Sequence, residues 1–90
     1  MLAKGSVVKS MSGRDQNRYY LVLDFCEGFA WIADGKVRKL ASPKKKSFKH
    51  LTFTNTVLEL SSITSDKKLR KLLSPFQEGF SPTEGGNLNV

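Results

Sequence analysis

Residues Arg18 to Gly35 read R-Y-Y-L-V-L-D-F-C-E-G-F-A-W-I-A-D-G, and this stretch decides the fold. Its first half, Arg18–Phe25, is crowded with Tyr, Leu, Val and Phe, too densely for a strand with one wet face. It fits a central strand buried on both sides. Glu27-Gly28 is a turn signal, and Phe29–Ala33 follows as another strand. Asp34-Gly35 then suits a two-residue type I′ hairpin, in which both central residues take positive φ. That hairpin would lead into a short, charged edge strand, Lys36–Leu40.

Upstream, Gly5–Ser12 (G-S-V-V-K-S-M-S) alternates with a period of two and predicts a first strand. Gly13-Arg14-Asp15-Gln16-Asn17 is a turn-forming linker. Downstream, Ala41–Ser47 holds Pro43 and the triplet Lys44-Lys45-Lys46 and reads as an exposed loop. Phe48–Thr54 resumes the period of two, with Leu51 and Phe53 on one face and His50, Thr52 and Thr54 on the other. Ser65–Leu73 is the single convincing helix. Leu69, Leu72 and Leu73 form its stripe, Thr64 or Ser65 caps it, Asp66 lies in its first turn, and Pro75 follows its end. From Phe76 onward the composition predicts a mobile tail. The expected divisions are therefore a barrel over 1–62, a helical segment over 63–75 and a tail over 76–90. Five short strands and one helix at this length point to a mainly β chain, a small closed barrel.

The chain has 90 residues, 15 Lys+Arg against 8 Asp+Glu, and a net charge of +7. One domain is expected at this size. The charge is not spread evenly. Lys36, Arg38, Lys39, Lys44, Lys45, Lys46 and Lys49 follow one another with no acid between them, and the remainder of the chain is neutral in sum. Such a cluster is either a solvated, solubilising surface or a phosphate-binding one, and its density favours nucleic acid. Lysines contact phosphates as point charges, so salt-dependent and weakly sequence-specific affinity is expected. Tyr19, Tyr20, Trp31 and Phe48 could stack on unpaired bases. Alternation makes Tyr20 the more exposed ring of its pair, and Phe48 adjoins the lysines. His50 beside the cluster is either a hydrogen-bonding group for phosphate or base, or an ordinary strand residue.

Other chemistries find little support. The single Cys26 lies in an apolar run and reads as a reduced core thiol, which favours a reducing, cytoplasmic setting. With one cysteine and one histidine no structural zinc site is expected, and no cofactor. There is no nucleophile elbow and no Walker loop, so no catalytic residue is assigned and an enzyme is not expected. The N-terminus lacks the apolar core of a secretory signal. The most apolar window, Tyr19–Ala33, is too short to span a bilayer, and the lysine loop lacks the amphipathic or lipid anchor that stable attachment to a membrane surface needs, so no membrane partner is expected.

The stretch Gly5–Asp24, G-S-V-V-K-S-M-S-G-R-D-Q-N-R-Y-Y-L-V-L-D, resembles a KOW motif: a strand, a glycine-containing loop and a second apolar strand. Gly13 matches the loop glycine. The G-R-D followed by an apolar strand ending in Asp is similar to a branch of KOW proteins. That branch is related to large-subunit ribosomal proteins of archaea and eukaryotes and includes small bacterial RNA-binding homologues. The Asp34-Gly35-Lys36-Val37-Arg38 turn and the Lys49-His50-Leu51…Thr54 strand also look like that branch. The resemblance covers roughly residues 4–60. It implies an SH3-like barrel and a ribosomal or translation-associated, RNA-binding role, with ribosomal RNA as partner and ribosomal proteins nearby. By position it implies that Gly13 shapes the loop, Arg14 and Arg18 flank it, and Lys36, Arg38, Lys45, Lys46, Lys49 and His50 extend the surface. Asn17 stands where many KOW loops have a second glycine, and Asn tolerates φ > 0 next best. A plain hairpin turn, with Asp15 pairing to Arg14 or Arg18, is the structural alternative. The competing function is a protein-interaction module of a transcription or translation complex, with the leucine stripe of the helix docked on a partner. A monomer is expected in isolation.

Overall fold

The structure is a computed structural model that describes residues 3–13 and 16–78. Five strands form one antiparallel sheet: β1 (Ser6–Ser10), β2 (Tyr19–Cys26), β3 (Phe29–Ala33), β4 (Lys44–Ser47) and β5 (Leu51–Val57). The sheet order is β4-β3-β2-β1-β5. One helix, α1 (Asp66–Gln77), closes the described chain. The fold is thus mainly β, as expected, with one α-helix at the C-terminal end of the described residues.

Tight hairpin geometry falls at Glu27-Gly28. Both residues have positive φ, 48° and 87°, as a type I′ turn requires. Asp34-Gly35 does not make the expected hairpin, and Lys36–Leu40 is not a strand. Gly35 has φ 81°, but Asp34 stays out of the positive-φ region. The Asp34 side chain is buried instead, and its Oδ1 accepts hydrogen bonds from the backbone N–H groups of Lys36 and Arg38 at 2.9 and 2.8 Å. The Asp34 and Gly35 N–H groups both donate to the Arg38 carbonyl. A buried carboxylate needs donors, so the backbone wraps around it instead of entering a ladder. Gly35 must be glycine for a second reason: a Cβ there would meet the Asp66 carbonyl.

The fourth strand is the lysine triplet, which the sequence placed in a loop. Ile32 pairs with Lys44, Trp31 with Lys45, Ala30 with Lys46 and Phe29 with Ser47. Charged residues suit an edge strand. A 3-10 turn at Phe48–His50 then leads into β5, which begins at Leu51 rather than Phe48.

That turn constrains the sheet's shape. β4 and β5 are its two edges, which in a flat five-stranded sheet would lie about 19 Å apart. The four residue steps from Ser47 to Leu51 reach at most about 14 Å. The sheet is therefore curved rather than flat, but β4 and β5 do not pair, so the strand ladder is open and not the closed barrel expected. Register shifts at Val22/Asp24 in β2 and at Ser6/Val8 in β1 mark where the strands bend.

β2 is buried on both faces over Tyr20–Val22, as its composition required. The inner side holds Val8, Tyr20, Val22, Ala30, Ile32 and Leu51, with Phe48 and Phe53 against them. The opposite side holds Val7, Leu21 and Ala33, covered by Ile63, Leu69 and Leu73. Tyr20 is therefore core rather than the exposed ring, at 1% exposure. Tyr19 is the half-buried ring, tilted on Phe76 with centroids 5.4 Å apart. Cys26 is exposed rather than a core thiol, because the last three residues of β2 run out to the hairpin tip.

The helix starts as read: Ser65 caps it, with its Oγ accepting from Lys68 N–H. It does not stop at Pro75 but runs through Gln77. Proline removes one late hydrogen bond. Gln77 offsets that loss with two bonds to β2, accepting from the Tyr19 N–H and donating to its carbonyl. Leu69 and Leu73 are fully buried on this chain's own sheet, so the leucine stripe is not free for a partner. Phe76 and Gln77 belong to α1, and the rest of the expected tail beyond Glu78 lies outside the described residues.

Candidate nucleic-acid interface

The linker between β1 and β2 forms the expected turn. Gly13 has φ 75° and Asn17 φ 69°, so Asn17 does take the glycine-like conformation. The turn is closed by Asn17 N–H to the Ser10 carbonyl at 2.7 Å and Ser10 N–H to the Arg18 carbonyl at 2.9 Å. Two contacts fasten it to β4 and the turn that follows: Met11 N–H donates to the His50 carbonyl at 2.7 Å, and Lys46 Nζ donates to the Ser12 carbonyl at 3.1 Å. Gly13, Lys49 and His50, all exposed, thereby share one end of the sheet. Arg14, and Asp15 as its possible pair, lie outside the described residues.

The remaining cations are dispersed. Lys46 is buried, at 8% exposure, and serves the Gly13 turn rather than solvent. Alternation on β4 sends Lys45 to the side opposite Lys44 and Lys46. Lys45 is exposed, whereas Lys44 is half-buried and engaged in contacts. Arg18 Nη2 lies 3.2 Å from Oδ2 of the buried Asp34, an ion pair that ties the Gly13 turn to the Asp34–Arg38 turn. Arg38 is half-buried, and its Nε has no hydrogen-bond partner among the described residues. Lys36 and Lys39 are exposed. Lys36 lines an open groove of about 190 Å³ with Arg18, Asp34 and Arg70. Arg70 Nη1 donates to the Gly35 carbonyl at 2.6 Å, a role the sequence did not signal.

The stacking candidates fare differently from expectation. Tyr20 is buried, and Phe48 is half-buried, packed against the inner core and perpendicular to Phe53, centroids 5.9 Å apart at 87°. Phe29, which the sequence did not single out, is 39% exposed at the end of β3. No helix among the described residues is long and apolar enough to cross a membrane.

No protein family model matches this chain, and no curated protein matches it.

Proposed function

We propose that this protein is a non-catalytic RNA-binding module. In this reading the curled sheet is an SH3-like barrel of KOW type, working in the cytoplasm as a monomer on structured RNA of the translation machinery, ribosomal RNA first. One observation carries the reading: the Met11–His50 and Lys46–Ser12 hydrogen bonds hold a glycine turn beside the exposed Lys49 and His50. A glycine turn lets backbone N–H groups approach phosphate, and the adjoining cations add attraction. Lys36, Lys39 and Lys45 extend the positive field. Recognition is by shape and charge, with counterion release as the driving term. The protein-interaction alternative loses its strongest element, because the leucines of α1 are spent on the sheet.

Fluorescence anisotropy with fragments of large-subunit ribosomal RNA tests this. Binding should be saturable and should weaken about tenfold or more in the Lys39→Glu/Lys49→Glu double variant, since each reversal removes one phosphate contact and adds repulsion. Absence of binding at low salt, or a double variant that binds as tightly as the parent, contradicts the proposal.

A further inference from the structure

Phe29 and Trp31 are two residues apart on β3 and share its outward face. Lys45 pairs directly with Trp31 across the β3–β4 ladder and lies on the same face. Its Nζ sits 4.6 Å from the Phe29 ring centroid and 5.7 Å from that of Trp31. α1 covers this side of the sheet at Leu21 and Ala33 but leaves Phe29 exposed. On the other flank, Asp24 pairs with Trp31 across the β2–β3 ladder. Its carboxylate is taken up by Lys4 at 3.6 Å and by the Phe25 N–H at 2.8 Å.

We propose that Phe29, Trp31 and Lys45 form a stacking site for one unpaired nucleotide of an RNA strand, the base on the Phe29 ring and the phosphate on Lys45. The inference rests on the RNA-binding reading and adds single-stranded nucleotides to its substrate class. An exposed cation–ring contact is weaker than base-on-ring stacking. A base therefore displaces Lys45 from the ring, and the released ammonium meets the attached phosphate. Stacking accepts any base, because each has a π face, so little sequence preference results. A peptide of acidic residues alone could satisfy Lys45 but offers no aromatic ring to stack on Phe29.

Trp31 is the chain's single tryptophan and reports on this site directly. The full chain is titrated with a short oligouridylate and its emission followed. Ribosomal RNA binding is measured in parallel by anisotropy. The site predicts saturable change in Trp31 emission and affinity weakened about fivefold or more in Phe29→Leu, which keeps bulk but removes the π face. Lys45→Gln should weaken binding and flatten its salt dependence. If ribosomal RNA binds while Trp31 emission stays unchanged with the oligonucleotide and Phe29→Leu binds normally, the stacking site is wrong and the RNA-binding reading survives. If no RNA binds, both fail. Uridine monophosphate binding as tightly as the oligonucleotide overturns the assignment to RNA. An acidic peptide that changes Trp31 emission and outcompetes the oligonucleotide overturns it in favour of a protein partner.

Discussion

Asp34 is 2% exposed, and its carboxylate accepts from Lys36 N–H, Arg38 N–H and Arg18 Nη2. An ionised carboxylate removed from water is tolerated only when such donors replace its hydration. Hydrogen bonds to a charged group contribute about 1.5–3 kcal/mol each, and the Arg18 share is smaller because 38% of that side chain is exposed. Asp34→Ala should therefore lower unfolding stability by about 2–4 kcal/mol in urea denaturation. Asp34→Asn retains an oxygen for the two backbone donors and should lose less, about 1–2 kcal/mol. Equal losses in the two variants would place the stabilisation in the Arg18 ion pair rather than in the turn. This residue also marks a limit of sequence reading. Asp-Gly after a strand indicates a turn, and a turn is there. Whether Asp34 takes positive φ or turns its carboxylate inward depends on whether Arg18, sixteen residues away, is there to meet it.

At the scale of elements, β4 shows tertiary pairing overriding local composition. Three successive lysines after a proline favour a solvated loop, yet the open edge of β3 supplies a ladder and recruits them as a strand. Their long stems cover apolar surface while the ammonium groups seek acceptors, as Lys46 does at Ser12. β2 was legible because its density of apolar residues has one explanation, burial on both faces. The same density hides the setting of Tyr20. Alternation separates Tyr19 from Tyr20 but cannot say which of the two faces the helix covers. Phe29 carries no signal of its own, because its neighbour Lys45 is set by the β3–β4 register, which no local pattern encodes. Alternation on β4 makes adjacent lysines unequal. Lys46→Glu should cost about 2–3 kcal/mol, since it loses the Ser12 bond and buries an unpartnered carboxylate beside that carbonyl. Lys45→Glu, at an exposed position, gives up its ring contacts with Phe29 and Trp31 and should cost less than about 1 kcal/mol while weakening RNA binding. Thermal unfolding of the two variants side by side separates them. Similar losses would mean that β4 does not hold this register.

Across the whole molecule, the cationic run 36–49 is contiguous in sequence but not in space. Four of its members, Lys36, Lys39, Lys45 and Lys49, are exposed, whereas Arg38 and Lys44 are half-buried and Lys46 is buried. The net charge of +7 therefore overstates how many phosphates this segment can neutralise. Counterion release makes the difference measurable, because each phosphate contact adds about 0.9 to the magnitude of the slope of log affinity against log salt on a duplex. The seven cations acting together would contribute a slope near −6, and the four exposed ones about −3 to −4. Single alanine substitutions sharpen the test. At Lys36, Lys39, Lys45 or Lys49 each should reduce the slope by about 0.9 or less, the smaller value applying where the contact is to a single strand. At Arg38, Lys44 or Lys46 the slope should stay as in the parent, and any loss of affinity should follow the loss of stability instead. A parent slope near −6 that falls equally at all seven positions would show the segment meeting RNA as an extended chain, in conflict with Lys46 held against Ser12 and with β4 paired along β3.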